Sequence, residues 1–224
     1  MYFIKQRKQF AKNKKNYDVG QKIGPGSYIM DNLNIIKGLP SRYRLQLAHI
    51  YFEVFGSKVR MILGSKPIIL KFMTEALNIK NGYYALKGPR LVGFLGFESQ
   101  VDAYSDFSYR NLRKVFNPCR AYFLTQVCRL AAYRGLKPGQ ILIDTFAVLP
   151  GQREQGIGTL LFKAFEKFAM HNGYSQILLE VIDTNSEAIK LYRRLGFEPV
   201  GIRRYFVLSR FLGFSASITM AKQL

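Results

Sequence analysis

Cysteine and histidine are scarce in this chain, acid is outnumbered by base, and no apolar run is long. The only cysteines are Cys119 and Cys128. On one helix their spacing is roughly two and a half turns, so they would face opposite sides, about 13 Å apart along the axis. A disulfide needs Cα atoms within about 7 Å, so both are expected as free thiols, compatible with a reducing compartment. The two histidines, His49 and His171, are far apart and no metal-ligand spacing is present, so no metal is expected. No stretch approaches the roughly 20 apolar residues of a transmembrane helix. Lys5, Arg7 and Lys8 follow the apolar Met1 to Ile4, the reverse of signal-peptide order. A soluble, cytoplasmic protein is the expectation.

Positive charge is what the chain has in excess. Its 34 Lys and Arg against 14 Asp and Glu leave a formal charge of +20. Such a field concentrates anionic partners, whether nucleotides, nucleic acid, an anionic membrane surface or an acidic protein, without choosing among them. Residues 1–26 carry much of the local bias and read as a basic arm, either a solvated tail or a contact for an anionic surface. Residues 27–224 suit one domain.

The order of elements within that domain is mixed. Tyr28–Ile36 holds a first strand. Ser41 reads as the N-cap of a helix that stops at Gly56, and Ser65-Lys66-Pro67 opens another, with Ile69, Phe72, Met73 and Ala76 at helical spacing. Tyr83–Leu86 and Leu91–Phe97 form a hairpin around Lys87-Gly88-Pro89-Arg90. Residues 98–139 are an irregular, helical insertion before the next strand. Within it Asn117-Pro118 starts a helix on which Cys119, Tyr122, Phe123, Val127 and Leu130 share one face. That helix packs on the domain with a cationic outer face, lies on a membrane, or walls a substrate site. Ile141–Val148 is a strand, Gly156–His171 an amphipathic helix, and Ile177–Ile182 a strand buried on both faces. Asn185 caps a further helix ending at Gly196, and Pro199–Leu208 and Ser215–Lys222 close the chain as strands.

Between a strand and a helix lies Gln152-Arg153-Glu154-Gln155-Gly156-Ile157-Gly158. The first N–H groups of a helix have no partners, and its dipole favours negative charge there. Glycine lets the backbone approach a ligand closely, and a phosphate or pyrophosphate is the natural guest.

Val148-Leu149-Pro150, Arg153-x-x-Gly156-x-Gly158 and Asn185-x-x-Ala188-x-x-Leu191-Tyr192-x-x-x-Gly196-Phe197 together resemble the GNAT superfamily of acyl-CoA-dependent N-acetyltransferases. The resemblance is specific over about 140–200. It implies an α/β fold with a mixed central sheet of about seven strands flanked by helices, the insertion preceding the fourth. It implies acetyl-CoA as cosubstrate. Backbone amides of Arg153, Glu154, Gln155, Gly156, Ile157, Gly158 and Thr159 would hold the pyrophosphate. Backbone groups of Phe146, Ala147 and Val148 would pair with the pantetheine arm, Asn185 would touch it, and Tyr192 would protonate the leaving thiolate. The motif does not fix the base. Asp144 leads, with Glu180, Glu98 or a water chain as alternatives. Glu154 and Gln155 stand where many relatives carry Gly and a basic residue, which puts a negative charge near the polyphosphate.

The function implied is N-acetylation of a primary amine. The alternatives are a longer-chain acyltransferase fed by acyl-carrier protein, and an acyl-CoA-binding module attached to nucleic acid or membrane. Aromatic residues of the insertion suggest an acceptor with an apolar portion. The positive field argues for an anionic acceptor and, by like-charge repulsion, against a polycationic one. The oligomeric state stays open, a homodimer included.

Overall fold

The computed structural model describes residues 29–30, 32–131, 135–205 and 214–224. The basic arm expected at 1–26 lies outside them. One sheet holds β1 (Ile29–Met30), β2 (Leu33–Lys37), β3 (Gly82–Lys87), β4 (Arg90–Glu98), β5 (Gln140–Val148), β6 (Gln176–Ile182), β7 (Glu198–Arg204) and β8 (Ala216–Gln223). Their spatial order is β1-β2-β3-β4-β5-β6-β8-β7. Seven strands are full-length, and two-residue β1 adds an edge. Every neighbouring pair is antiparallel except β5 and β6.

Successive strand residues point to opposite faces, so each strand feeds two apolar layers. On one face Tyr84 and Phe94 meet α1 (Arg44–Leu63), α2 (Lys66–Ala76) and α4 (Pro118–Ala131) through Leu47, Phe72, Met73, Ala121 and Leu124. Between α2 and α4 lies the short α3 (Tyr109–Leu112). On the other face Tyr83, Leu95, Phe97, Ile177 and Leu179 meet α5 (Ile157–His171), through Leu161 and Phe165. The following helix, α6 (Ser186–Arg194), packs Ala188, Ile189 and Tyr192 against that second layer.

Three local expectations need correction. The single strand read over 28–36 is broken at Asn32, whose positive φ of 66° turns the chain into a small β1–β2 hairpin. The helix expected to stop at Gly56 runs on to Leu63, after a 3-10 turn over Ser41–Tyr43 that Pro40, not Ser41, caps. A mid-helix glycine costs only about 1 kcal/mol, and burial of Leu63 (1 % exposed) outweighs it; Gly64, at φ 97°, ends the helix instead. On α4, Asn117 does cap, its Oδ1 accepting from Arg120 N at 2.9 Å. The buried side, however, is Ala121 and Leu124, while Tyr122 and Phe123 are 62 % and 64 % exposed. Arg120 sets this rotation: it donates to the Leu63 carbonyl at the end of α1 (3.3 Å) and lies over the Phe116 ring (4.8 Å).

Cys119 and Cys128 are both free, as expected. Among the described residues no helix is long and apolar enough to cross a membrane, and no three His, Cys, Asp or Glu side chains lie close enough together to hold one metal ion.

Candidate active site

The feature that positions everything else is a fork. β5 and β6 pair only from Gln140–Ile143 against Gln176–Leu179. Beyond that point β6 continues against β8 and β5 against β4, so the two strands part. The β5 edge from Asp144 to Val148 therefore faces a cleft with no strand paired on that side. An added extended chain can pair there.

At the far end of the cleft sits the glycine turn. Pro150–Gln152 forms one 3-10 turn, and Arg153 Nε donates back to the Val148 carbonyl at 3.1 Å. Glu154 and Gly156 then take positive φ, 63° and 75°. The N–H groups from Glu154 to Thr159 meet no backbone carbonyl. A Cβ built on Gly156 would have nothing within 4 Å, so the space in front of the turn is open. Donors in a row at the N-terminus of a 15-residue helix, with room before them, fit a pyrophosphate. Gly158 sits closer in: its missing Cβ would touch the Phe146 ring at 3.5 Å.

Tyr192 closes the cleft from α6. Its ring lies 6.4 Å from that of Phe146 on β5 and 5.9 Å from that of Phe197. Burial pushes its phenol up to about 12, so it is protonated at neutral pH. Asn185 caps α6, its Oδ1 accepting from Ala188 N at 3.3 Å, which leaves its amide N–H groups for a ligand.

The opposite side of the fork holds a cavity of about 510 Å³, walled by β4, β5, β6, residues 103–109 and α4. The insertion is thus a wall of this cavity. All three carboxylates considered as bases line it: Glu98, Asp144 and Glu180. Strict alternation would place Asp144 on the same face as Phe146 and Val148, and the structure overturns this. Gly96 pairs with Thr145 but Phe97 with Ile143, so Asp144 is the extra residue of a β-bulge. Ile143 before it and Phe146 after it both pack on the α5 layer, and Asp144 turns to the other side.

Solvent reaches Asp144 through the cavity mouth, yet protein surrounds its carboxyl closely. That burial raises its pKa, against hydrogen bonds from Thr145 Oγ1 (2.8 Å) and Ser105 Oγ (3.3 Å). Burial and then the charge of Asp144 raise Glu98. Burial raises Glu180, opposed by Arg203 at 3.6 Å and by Thr219.

Sequence reasoning missed what supports this cavity. Tyr104 is fully buried against Gly96, and Ser105 bridges to Leu77 while holding Asp144. Nothing local marks these residues. A Gly within an apolar strand was the one signal, since it often means close approach of another group.

Known proteins with similar sequences share only part of this chain. Streptothricin acetyltransferase from Streptomyces lavendulae is 38 % identical over 63 residues, 28 % of this chain and 33 % of that one. Thialysine N-epsilon-acetyltransferase from Mus musculus is 34 % identical over 73 residues, 33 % of this chain and 43 % of that one. The chain therefore matches less than half the length of either relative. Among solved structures, the ribosomal-protein-S18-alanine N-acetyltransferase from Escherichia coli superposes with a TM-score of 0.51. It is 17 % identical and the match covers 85 % of this chain and 93 % of that one, a likeness of fold. The model of the acetyltransferase (GNAT) family matches residues 65–197, from the start of α2 through the fork, the glycine turn and Tyr192. With more than half its length inside that match, the chain belongs to the GNAT family.

Proposed function

We propose that this protein transfers the acetyl group of acetyl-CoA directly to a primary amine, the acceptor entering through the carboxylate-lined cavity. The observation that carries this is the fork itself. It joins a turn of unpaired N–H groups, a free β5 edge and a half-buried Tyr192 on one side to a cavity bearing three carboxylates on the other. The cosubstrate supplies an activated acyl carbon and a thiolate leaving group.

In this reading the N–H groups of Glu154 to Thr159 hold the pyrophosphate, that of Arg153 being bonded to the Pro150 carbonyl at 3.3 Å, and the backbone of Phe146, Ala147 and Val148 aligns the pantetheine arm. Asn185 contributes its amide. An N–H on β5 points at the thioester oxygen and stabilises the charge that develops there. The amine nitrogen bonds to the carbonyl carbon as the C–S bond breaks. Asp144 accepts the proton the amine sheds, with its carboxyl aimed by Ser105 and Thr145. Tyr192 donates to the departing sulfur. Most of the rate enhancement is proximity, with no covalent enzyme intermediate needed. The name of one relative, thialysine N-epsilon-acetyltransferase, supports an amine as acceptor.

The test is thiol release from acetyl-CoA across a panel of amines, with Tyr192→Phe beside the parent. The phenol's loss is expected to lower kcat about 100-fold with little change in acetyl-CoA affinity, the usual scale of a proton donor. An unchanged kcat would remove Tyr192 from the chemistry. No thiol release with any amine would remove the transfer reading.

A further inference from the structure

The cavity beside the fork is acidic in a chain that is otherwise strongly basic. Three of the 14 acidic residues line it. They come from three adjacent strands. Glu98 ends β4 opposite Leu142, Asp144 is the bulge residue of β5, and Glu180 stands one step past Leu179, the last β6 residue paired with β5. With strands about 4.8 Å apart and Glu98 offset from Glu180 by two residues along them, the two are separated at the backbone by about 12 Å, and Asp144 lies between them. Arg129 also lines the cavity, and Arg203 abuts Glu180 from outside it, so carboxylate remains in excess. Neither Glu98 nor Asp144 has an ion pair with a described residue, and Glu98 feels the charge of Asp144.

A site built this way wants a cation. Like charges close together in partly desolvated surroundings are costly, and an ammonium between them relieves the cost. One carboxylate suffices as a base for the reacting amine. The remaining two have no task in the transfer reaction. Phe107 and Leu142 supply apolar wall between the polar ends, and the volume of about 510 Å³ is that of a small-molecule site. The geometry points to a small acceptor with two cationic nitrogens joined by a short aliphatic chain, one reacting at the fork beside Asp144 and the other held by Glu98. This rests on the transfer reading above. It reverses the expectation drawn from net charge: the field of the whole chain disfavours a polycation, but the cavity has the opposite sign.

A matched series tests it on the full chain. Cadaverine, pentylamine and aminovalerate share one reacting amine and differ at the far end, carrying an ammonium, a methyl and a carboxylate. The expected order of kcat/KM is cadaverine, pentylamine, aminovalerate, with about tenfold at each step, the worth of one charge-assisted contact. Glu98→Gln is expected to bring the cadaverine-to-pentylamine ratio close to one, with circular dichroism melts controlling for folding. Equal rates for the three amines, or acetylation of acidic peptides alone, would overturn the proposal and leave the transfer reading standing. Calorimetric titration of cadaverine supplies a readout that needs no turnover. Binding weakened about tenfold by Glu98→Gln, without turnover of any amine, would sustain the dication site and remove the transfer reading. No binding and no preference would remove the site.

Discussion

Gly96→Ala should damage both stability and the acceptor side of the site. A Cβ built on Gly96 falls on Cγ, Cδ1 and Cε1 of Tyr104, inside van der Waals contact. The ring has nowhere to retreat. Tyr104 is 0 % exposed and stacks on Phe94, also 0 % exposed, with centroids 6.3 Å apart. Its backbone is tied as well, the Tyr104 carbonyl accepting from Asn78 N at 2.7 Å and Asp106 N donating to Ala76 at 2.9 Å. Overpacking of this kind costs about 1–3 kcal/mol, and replacing glycine in a strand returns about 0.5–1 kcal/mol. The net loss is then roughly 1–2 kcal/mol, or about 2–8 °C in Tm for a domain of this size. Urea unfolding measures the loss, and a cycle with Tyr104→Ala assigns it. In the Tyr104→Ala background Gly96→Ala should be neutral or mildly stabilising. Because the displaced ring carries Ser105 with it, the acceptor KM should rise while acetyl-CoA affinity holds. An unchanged midpoint, or a cost that persists without the ring, would refute the argument.

Substitutions at two further positions probe the charges. Glu154 holds a positive φ of 63° that costs a non-glycine residue about 1–2 kcal/mol, and it adds a negative charge to the turn proposed to hold the pyrophosphate. Glu154→Gly should therefore raise stability by up to about 1 kcal/mol and tighten acetyl-CoA binding, whereas Glu154→Gln should tighten binding without the stability gain; calorimetry and urea melts separate the two. Asp144 has a folded-state pKa above its ordinary value because protein crowds its carboxyl, even though solvent reaches it through the cavity mouth. Between the unfolded and folded values the native state binds more protons, so stability falls as pH rises through that window. Asp144→Asn should match the parent's Tm below the usual carboxylate range and exceed it near neutrality, while slowing transfer; a Tm difference independent of pH would contradict the burial argument.

The second half of the fold was legible because its signals are local and agree. Val148-Leu149-Pro150, the glycine turn and the apolar stripe of α5 lie next to one another, and the cap at Asn185 stands where Oδ1 bonds Ala188 N. The family model covers this stretch. Misreadings fall where two local solutions compete and a distant contact decides. Gly56 looked like a stop because glycine often is one, but the residues beyond it had a core to enter. On α4 the stripes Cys119-Tyr122-Phe123 and Ala121-Leu124 are both helical, and larger side chains made the first look like the core face. Arg120, bonded to a carbonyl 57 residues earlier, chose the second.

The cavity was illegible for a different reason. Glu98, Asp144 and Glu180 could each be named as a candidate from the sequence, but as alternatives to one another. Their convergence depends on strand order, on the register of β4 against β5, and on the point where β6 leaves β5. None of these is written in any one segment. The bulge adds a step that alternation forbids, since without it Asp144 would point towards α5. Net charge is equally blind to such convergence. A sum over 224 residues describes the far field that an approaching molecule feels, and at contact the nearest few groups dominate, because water and salt screen the rest within about 10 Å. A basic exterior around an acidic cavity is then no contradiction: each acts on a different ligand and over a different distance. Acetyl-CoA, with its phosphates, responds to the first, and a diamine already inside the mouth responds to the second. The two predictions are separable by salt. Raising ionic strength should weaken acetyl-CoA capture more than it weakens the preference for cadaverine over pentylamine, since the carboxylates that set that preference lie within contact distance and partly out of solvent. Loss of the preference in step with acetyl-CoA affinity would place the second charge on the surface instead of in the cavity.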